Sequence, residues 1–279
     1  MKVTIAKTAG FCMGVSRAVN MALAAAMQKK KKPVYTYGPL IHNPQALQFL
    51  NDKGISILKN IPKKGTGTVI IRAHGVPPSD KIKIEKAGFY LIDATCPRVV
   101  RVQTIIAQHR ELGYTSVIFG DEEHPEVKGL IGCAGKKVYV INRLSELNNL
   151  PVFKKAAIVA QTTQDMYQFK QAVKISETKF PNYKIFNTIC DSTRKRQEEI
   201  KKLAESVDAA IVIGSYNSGN TCRLAEIASQ TGKPSFHIET EADINFSIMA
   251  RFKHIGVTAG ASTPDRVIKS VCKAIEKKL

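Results

Sequence analysis

Residues 90–100 read YLIDATCPRVV, a short apolar run that ends in small and polar residues and leads into a cysteine and a helical stretch. Cys12 and Cys190 stand in the same setting, 84 residues before Cys96 and 94 residues after it. A spacing of almost a third of the chain indicates a three-fold internal repeat with one cysteine in each copy. Three thiols placed in this way favour a ligand that all three share.

Other positions recur together with the cysteines. An apolar run ends in glycine 26, 24 and 24 residues after the three cysteines, at Gly38, Gly120 and Gly214. Four residues beyond each glycine is a polar side chain, namely His42, His124 and Ser218. A later apolar run also ends in a polar group in each copy, near His74, Thr162 and Ser262. Ligands bind parallel sheets beyond the carboxyl ends of the strands, so these groups are candidates to line one pocket.

The pattern of apolar runs predicts an α/β fold. About twelve short β-branched runs, four for each lobe when the N-terminal run is counted with the last, alternate mostly with amphipathic stretches, which is typical of parallel sheets. We expect three small lobes, at residues 13–97, 98–191 and 192–279, that face one another around a central pocket. The last lobe ends at the run 254–258 without a fourth strand, and the N-terminal segment 1–12 would supply it.

Composition and charge narrow the class of protein. The chain has 279 residues, and none of its apolar runs reaches the roughly 18 residues of a membrane-spanning helix. Its first residues lead directly into a strand pattern without an export signal, which predicts a cytoplasmic protein with no membrane partner. The formal charge is +19, but the lysines are scattered. Scatter favours a solvated surface that attracts anions over a nucleic-acid interface, so no nucleic-acid partner is expected.

The cysteines suggest which cofactor is present. Six cysteines without an export signal favour thiols or metal ligands over disulfides. No close pair of the kind that zinc sites use occurs, whereas a four-iron, four-sulfur cluster held by only three cysteines would keep one iron open to substrate. The competing interpretation is three buried structural cysteines. Cys133, Cys222 and Cys272 fall outside the repeat and are not expected to bind metal.

Several short segments carry a resemblance to a known family. They are GFCMGV at 10–15, GPLIHN at 38–43, AHG at 73–75, DATCP at 93–97, HPEV at 124–127, QTT at 161–163, NSGNT at 217–221 and TAGASTP at 258–264. In this order they resemble the family of 4-hydroxy-3-methylbut-2-enyl diphosphate reductase, the last enzyme of the non-mevalonate isoprenoid pathway. The resemblance implies a trefoil of three pseudo-symmetric parallel-sheet lobes around a central 4Fe-4S cluster, with Cys12, Cys96 and Cys190 as ligands and one open iron.

The resemblance also assigns roles to site residues. Glu126 follows His124 and Pro125 in a loop after a predicted strand, which suits a carboxyl group that delivers protons once burial has raised its pKa. The resemblance singles out Glu126, Thr162 and His124 as catalytic. The residues implied in substrate binding are His42, His74, His124, Thr162, Thr163, Ser218, Gly219, Asn220 and Ser262. Asn220 stands where a P-loop would have its lysine, so this segment is expected to hold a diphosphate without hydrolysing a nucleotide.

The implied reaction is a reductive dehydroxylation. Two electrons and two protons remove the allylic hydroxyl of 4-hydroxy-3-methylbut-2-enyl diphosphate and give isopentenyl and dimethylallyl diphosphates. Reduced ferredoxin or flavodoxin is the expected electron donor. Two alternatives stay open at this point: a dehydratase like quinolinate synthase, which would need no reductant, and a basic nucleic-acid-binding iron-sulfur protein, whose binding would depend steeply on salt.

Overall fold

Three four-stranded sheets form the framework of the protein. The computed structural model describes residues 1–28, 32–179 and 182–278. The strands are β1 (Lys2–Ile5), β2 (Val34–Tyr37), β3 (Ile55–Leu58), β4 (Thr68–Ile71), β5 (Tyr90–Asp93), β6 (Thr115–Phe119), β7 (Val138–Ile141), β8 (Ala156–Ala160), β9 (Lys184–Phe186), β10 (Ala209–Ile213), β11 (Ser235–Ile238) and β12 (His254–Ala259). All twelve predicted strands are therefore confirmed, and their ends agree with the prediction to within two residues.

Helices connect most of these strands. They are α1 (Met13–Met27), α2 (Pro44–Asp52), α3 (Pro78–Lys86), α4 (Pro97–Glu111), α5 (Pro125–Ala134), α6 (Leu144–Asn148), α7 (Met166–Lys179), α8 (Asp191–Glu205), α9 (Gly219–Ser229), α10 (Phe246–Met249) and α11 (Asp265–Lys278), with a 3-10 turn at Glu241–Asp243. Within the part of the chain that the structure describes, no helix is both long and apolar enough to cross a membrane.

The three sheets share one topology. Their strand orders are β3-β2-β4-β5, β7-β6-β8-β9 and β11-β10-β12-β1, with parallel pairing throughout. We number the strands within the sheets in the orders β2, β3, β4, β5, then β6, β7, β8, β9, and then β10, β11, β12, β1. With this numbering the first strand of each sheet lies between the second and the third, and the fourth lies outside the third. The N-terminal strand takes the fourth place in the last sheet, with Lys2 opposite His254 and Ile5 opposite Val257. The α/β class and the three-fold repeat are thus confirmed.

The central strands explain why these sheets form. Every residue of β4, β6, β8 and β10 is buried, as expected for parallel strands covered by helices on both faces. Their sequences, TVII, TSVIF, AAIVA and AAIVI, are nearly continuous apolar runs. The apolar core therefore lies along the middle strands, and polar groups are left for the strand ends.

The chain groups into two compact units. One contains Met1–Ser16, Ile41–Phe49 and Asp191–Leu279, and the other contains Arg17–Leu40 and Leu50–Cys190. The sheet with β1 lies in the first unit and the other two sheets lie in the second. The predicted lobe boundaries at residues 97/98 and 191/192 stay a prediction.

One backbone hydrogen bond recurs at the start of each functional loop. The N–H groups of Gly38, Gly120 and Gly214 donate to the carbonyls of Leu58, Ile141 and Ile238, at 3.0, 2.8 and 2.8 Å. In each sheet the donor directly follows the first strand and the acceptor is the last residue of the second strand. The loops that carry His42, His124 and Ser218 therefore leave their sheets in equivalent ways.

Close packing around Gly260 yields a stability prediction. Gly260 directly follows β12, and a Cβ atom at this position would lie 1.9 Å from Oγ1 of the fully buried Thr221. We expect Gly260→Ala to lower the free energy of unfolding by about 1–3 kcal/mol, the usual cost of overpacking a core. In a Thr221→Ala background the same change should cost less than half as much. Urea unfolding of the four proteins measures both effects, and equal midpoints for wild type and Gly260→Ala would contradict the packing argument.

Candidate functional site

The three repeat cysteines occupy equivalent places in their sheets. Each follows the fourth strand of a sheet and immediately precedes a 15-residue helix, α1, α4 or α8. The backbone N–H groups of Cys12, Cys96 and Cys190 donate to the carbonyls of Ala261, Ala73 and Thr162, at 3.1, 2.9 and 2.9 Å. Each acceptor is the second residue beyond the third strand of its own sheet. The repeat that the sequence suggests is therefore also a repeat of hydrogen bonds.

The setting of each cysteine suits a thiolate ligand. All three are partly accessible, and all six cysteines of the chain are free of disulfide bonds. The N-terminus of a helix presents unpaired N–H groups and favours negative charge. At Cys12 this is visible directly, because the N–H of Val15 lies 3.5 Å from Cys12 Sγ. Each site thus meets the local requirements of an iron-sulfur ligand.

The other cysteines lie in different surroundings. Cys133 and Cys272 are buried on helices α5 and α11, at 5% and 6% exposure. Burial raises the pKa of the Cys133 thiol, and it raises the pKa of Cys272 to about 11. Cys222 lies on α9, where burial raises its pKa and its Sγ contacts the carbonyl of Tyr216 at 3.0 Å. Thiols that resist ionisation are poor metal ligands, which agrees with the prediction that these three do not bind metal.

Glu126 is a buried carboxyl group that is hydrogen-bonded to Thr162. It is the second residue of α5, and not a loop residue as the sequence predicts, because the helix already begins at Pro125. Its exposure is 1%. Its Oε1 accepts the backbone N–H of Thr162 at 2.7 Å, and its Oε2 lies 2.7 Å from Thr162 Oγ1. Burial raises the pKa of Glu126 to about 7, against the opposing effect of the two hydrogen bonds from Thr162. A carboxyl group with this pKa holds a transferable proton near neutral pH.

His124 is oriented by the same helix end. It caps the N-terminus of α5, and its Nδ1 accepts the backbone N–H of Glu126 at 3.1 Å. Because Nδ1 is an acceptor here, a neutral ring carries its proton on Nε2 and presents a donor there. The ring packs edge-on against His74, with 5.4 Å between the centroids. Glu126, Thr162, His124 and His74 thus lie together at the carboxyl ends of their sheets, as expected.

A second polar group lies in the unit that contains β10 and β12. Ser218 caps the N-terminus of α9, and Gly219 is the first residue of that helix. Ser262 Oγ donates to the carbonyl of His42 at 3.0 Å and lies 3.4 Å from Ser218 Oγ. Asn220 is 6% exposed, and its Nδ2 has no hydrogen-bond partner among the described residues. A helix N-terminus with hydroxyl and amide donors is a typical anion site.

The strand ends correct one detail of the predicted repeat. His74, Thr163 and Ser262 are each the third residue beyond the third strand of a sheet. Thr162 is the second residue, and its carbonyl accepts from a cysteine as the carbonyls of Ala73 and Ala261 do. The residue equivalent to His74 and Ser262 is therefore Thr163 and not Thr162, because an apolar run alone does not show where its strand ends.

Sequence analysis missed a residue that supports this part of the site. Gln161 Oε1 accepts the backbone N–H of Asp121 at 3.0 Å, and its Nε2 donates to Thr163 Oγ1 at 2.9 Å. Gln161 is 5% exposed and directly follows the fully buried strand β8. A polar side chain at the end of such a strand was the available signal. Through these two bonds Gln161 links the loop before α5 to the loop that carries Thr162 and Thr163.

Comparison with known proteins identifies the family. Residues 3–276 match the family model described as LytB protein. The 4-hydroxy-3-methylbut-2-enyl diphosphate reductases of Geotalea uraniireducens and Geobacter sulfurreducens are 44% and 43% identical to this chain, over 99% of it and 98% of each relative.

Two solved structures are similar to this one. That of the E-1-hydroxy-2-methyl-but-2-enyl-4-diphosphate reductase from Plasmodium falciparum has a TM-score of 0.91 and 26% identity, over 98% of this chain and 87% of that one. A second, titled as (E)-4-hydroxy-3-methyl-but-2-enyl diphosphate reductase, the terminal enzyme of the non-mevalonate pathway, has a TM-score of 0.73 and 40% identity, over 99% and 100%. The chain therefore belongs to the LytB protein family, together with the 4-hydroxy-3-methylbut-2-enyl diphosphate reductases that it matches.

Proposed function

We propose that this protein is an oxidoreductase that reductively removes the allylic hydroxyl of 4-hydroxy-3-methylbut-2-enyl diphosphate and gives isopentenyl and dimethylallyl diphosphates. The observation that carries the proposal is the buried pair of Glu126 and Thr162. The carbon–oxygen bond breaks, two electrons enter, one proton leaves with the hydroxyl as water, and a second proton forms the new carbon–hydrogen bond. Family membership favours neither the dehydratase nor the nucleic-acid alternative.

The cofactor in this proposal is one 4Fe-4S cluster held by Cys12, Cys96 and Cys190, with one iron that has no cysteine ligand. When bound, such a cluster supplies electrons and a Lewis acid. Its proposed source of electrons is reduced ferredoxin or flavodoxin, and the many surface lysines would favour an acidic carrier. Six cysteines without a disulfide support a cytoplasmic location.

The protein's own residues would bind the diphosphate and handle the protons. Ser218, Gly219, Asn220 and Ser262 offer hydroxyl, amide and helix N-terminal donors for the diphosphate, and His42, His74, His124 and Thr163 are the further proposed contacts. Thr162 Oγ1 can both donate and accept, so it can orient the substrate hydroxyl and pass a proton from Glu126. Glu126 holds that proton because burial disfavours its carboxylate form.

Replacing the acid should separate binding from chemistry. Glu126→Gln keeps the size of the side chain but has no proton to give, so turnover should fall about 100-fold or more, while substrate binding remains. The matched control is Glu122→Gln, an exposed residue of the loop that precedes α5. Steady-state rates with a reduced dye and calorimetric binding measure the two effects. Wild-type turnover by Glu126→Gln at saturating substrate would mean that the proton comes from elsewhere.

The pH profile should report the same carboxyl group. Because burial raises the pKa of Glu126 to about 7, the proton-donating form is present below pH 7 and is lost as the pH rises through that value. Turnover should therefore fall on the alkaline side with a midpoint near 7. Thr162→Val removes one hydrogen bond that stabilises the carboxylate, so the midpoint should move to higher pH even as the rate declines. An unchanged midpoint in Thr162→Val would assign the titration to another group.

Serine scanning tests the cluster ligands. We expect Cys12→Ser, Cys96→Ser and Cys190→Ser each to abolish or strongly reduce the iron, sulfide and visible absorbance of anaerobically purified protein. Cys133→Ser, Cys222→Ser and Cys272→Ser should retain them, since those thiols lie outside the repeat. Full cluster content in Cys96→Ser would overturn the ligand set.

The need for a reductant distinguishes the proposed reaction from its closest alternative. Turnover by the wild-type protein without any reductant would support the dehydratase.

A further inference from the structure

The loop before Cys12 is held by side chains of a distant helix. This segment, residues 6–11, is called the Cys12 loop below, and it connects β1 to Cys12. Glu199 of α8 accepts the backbone N–H of Lys7 at 2.7 Å and the N–H of Thr8 at 2.9 Å. It also accepts the hydroxyl of Thr8 at 2.5 Å. One carboxylate thus binds three donors at the start of this segment, and these bonds lower the pKa of Glu199 despite its partial burial.

A second side chain of α8 holds the other end of the Cys12 loop. Arg196 Nη2 donates to the carbonyl of Gly10 at 2.7 Å, two residues before Cys12. Gly10 has a φ of +93°, a backbone conformation that residues other than glycine rarely adopt. Arg196 and Glu199 are three residues apart and therefore lie on the same face of α8. Together they contact both ends of the segment.

The side chain of Arg196 is buried, so its hydrogen bonds determine where it lies. Its side chain is 4% exposed, and a buried guanidinium is costly unless its donors are used. Arg196 Nη1 also bonds to the carbonyl of Ser192, one turn earlier in α8. An arginine on the surface could instead donate these hydrogen bonds to water. The bonds to backbone carbonyls therefore fix the side chain in place and, with it, the carbonyl of Gly10.

The three cysteine loops differ in how much support they need. Only two residues separate β5 from Cys96 and only three separate β9 from Cys190, whereas six separate β1 from Cys12. The short loops have contacts of their own: Asp93 Oδ1 accepts from Thr95, Arg17 of α1 donates to the carbonyl of Thr95 at 3.1 Å, and Thr188 Oγ1 bonds to Ala160. A longer segment has more conformational entropy to lose, so Cys12 is the ligand that most requires external contacts.

We infer that Arg196 and Glu199 are positioning residues for Cys12, which hold the Cys12 loop so that the thiolate is presented to the cluster in one place. The inference rests on the proposed function in so far as Cys12 is a cluster ligand. In the holoprotein we expect slow loss of the cluster, because a loop held in this way would keep the Cys12 thiolate beside the iron that it binds. In the cluster-free protein we expect the partly accessible Cys12 thiol to react faster once these bonds are removed.

The helix offers matched controls for this test. Arg194 and Glu198 lie on α8 beside the proposed pair but bond to each other at 2.9 Å on the exposed side. Arg196→Gln and Glu199→Gln are therefore compared with Arg194→Gln and Glu198→Gln. In reduced, cluster-free protein, the alkylation rate of each cysteine by iodoacetamide is followed by mass spectrometry. We expect the ratio of the Cys12 rate to the Cys96 rate to rise about tenfold in Arg196→Gln and in Glu199→Gln, which is the size of effect expected for the loss of a hydrogen bond to a charged group. The same ratio should stay unchanged in the two control variants.

Reconstituted protein provides a second measurement. Iron release to a chelator should be about tenfold faster in Arg196→Gln than in Arg194→Gln. Arg196→Lys, which retains the charge and can still donate to the carbonyl, should recover part of the difference.

If Arg196→Gln does not fold, Glu199→Gln and Arg196→Lys decide the question by the same ratio. A ratio of Cys12 to Cys96 alkylation equal to that of wild type, or a parallel rise at all three cysteines, would overturn the inference. A wild-type protein that binds no cluster would instead overturn the proposed function, and the alkylation result would still stand.

Discussion

The backbone hydrogen bond from each repeat cysteine to the extension of the neighbouring strand is the constraint on which the site depends. It joins the end of the fourth strand to the end of the third in all three sheets, through Ala261, Ala73 and Thr162. The bond is made by the main chain, so it does not depend on which side chain follows. Each sheet can therefore vary its neighbouring polar residue, to His74, Thr163 or Ser262, while its cysteine keeps the same backbone position. The three sheets thus share one backbone arrangement but place different polar side chains beside their cysteines.

The fold sets the pKa of Glu126 by excluding water from its carboxyl group. Burial alone would favour the neutral acid strongly, whereas two hydrogen bonds from Thr162 favour the carboxylate. The balance leaves both forms accessible near neutral pH, which a reaction that consumes protons requires. The same helix end supplies the N–H group that orients His124. One N-terminal turn of α5 thus organises two of the proposed catalytic side chains.

Much of this architecture could be predicted from sequence because it is periodic and local. Buried parallel strands such as AAIVA at β8 are continuous apolar runs, and the cysteine spacing exposes the repeat. Exact strand ends are not encoded in this way, so the apolar runs alone place Thr162 at the repeat position that Thr163 occupies. The bonds of Arg196 and Glu199 span 186 and about 190 residues of sequence, and no pattern in α8 reveals them. Likewise, the pKa of Glu126 follows from burial by residues that are remote in the chain.

The pairing of β1 with β12 has a consequence for how the chain acquires its structure during synthesis. Lys2 is synthesised well before its partner, His254. The strands of the sheets β3-β2-β4-β5 and β7-β6-β8-β9 are consecutive in the sequence, whereas β1 must wait until β10, β11 and β12 have been synthesised. Until then β1 and Cys12 remain without their sheet. The backbone position of Cys12 is therefore fixed late, since only in the completed sheet does Cys12 acquire its hydrogen bond to Ala261.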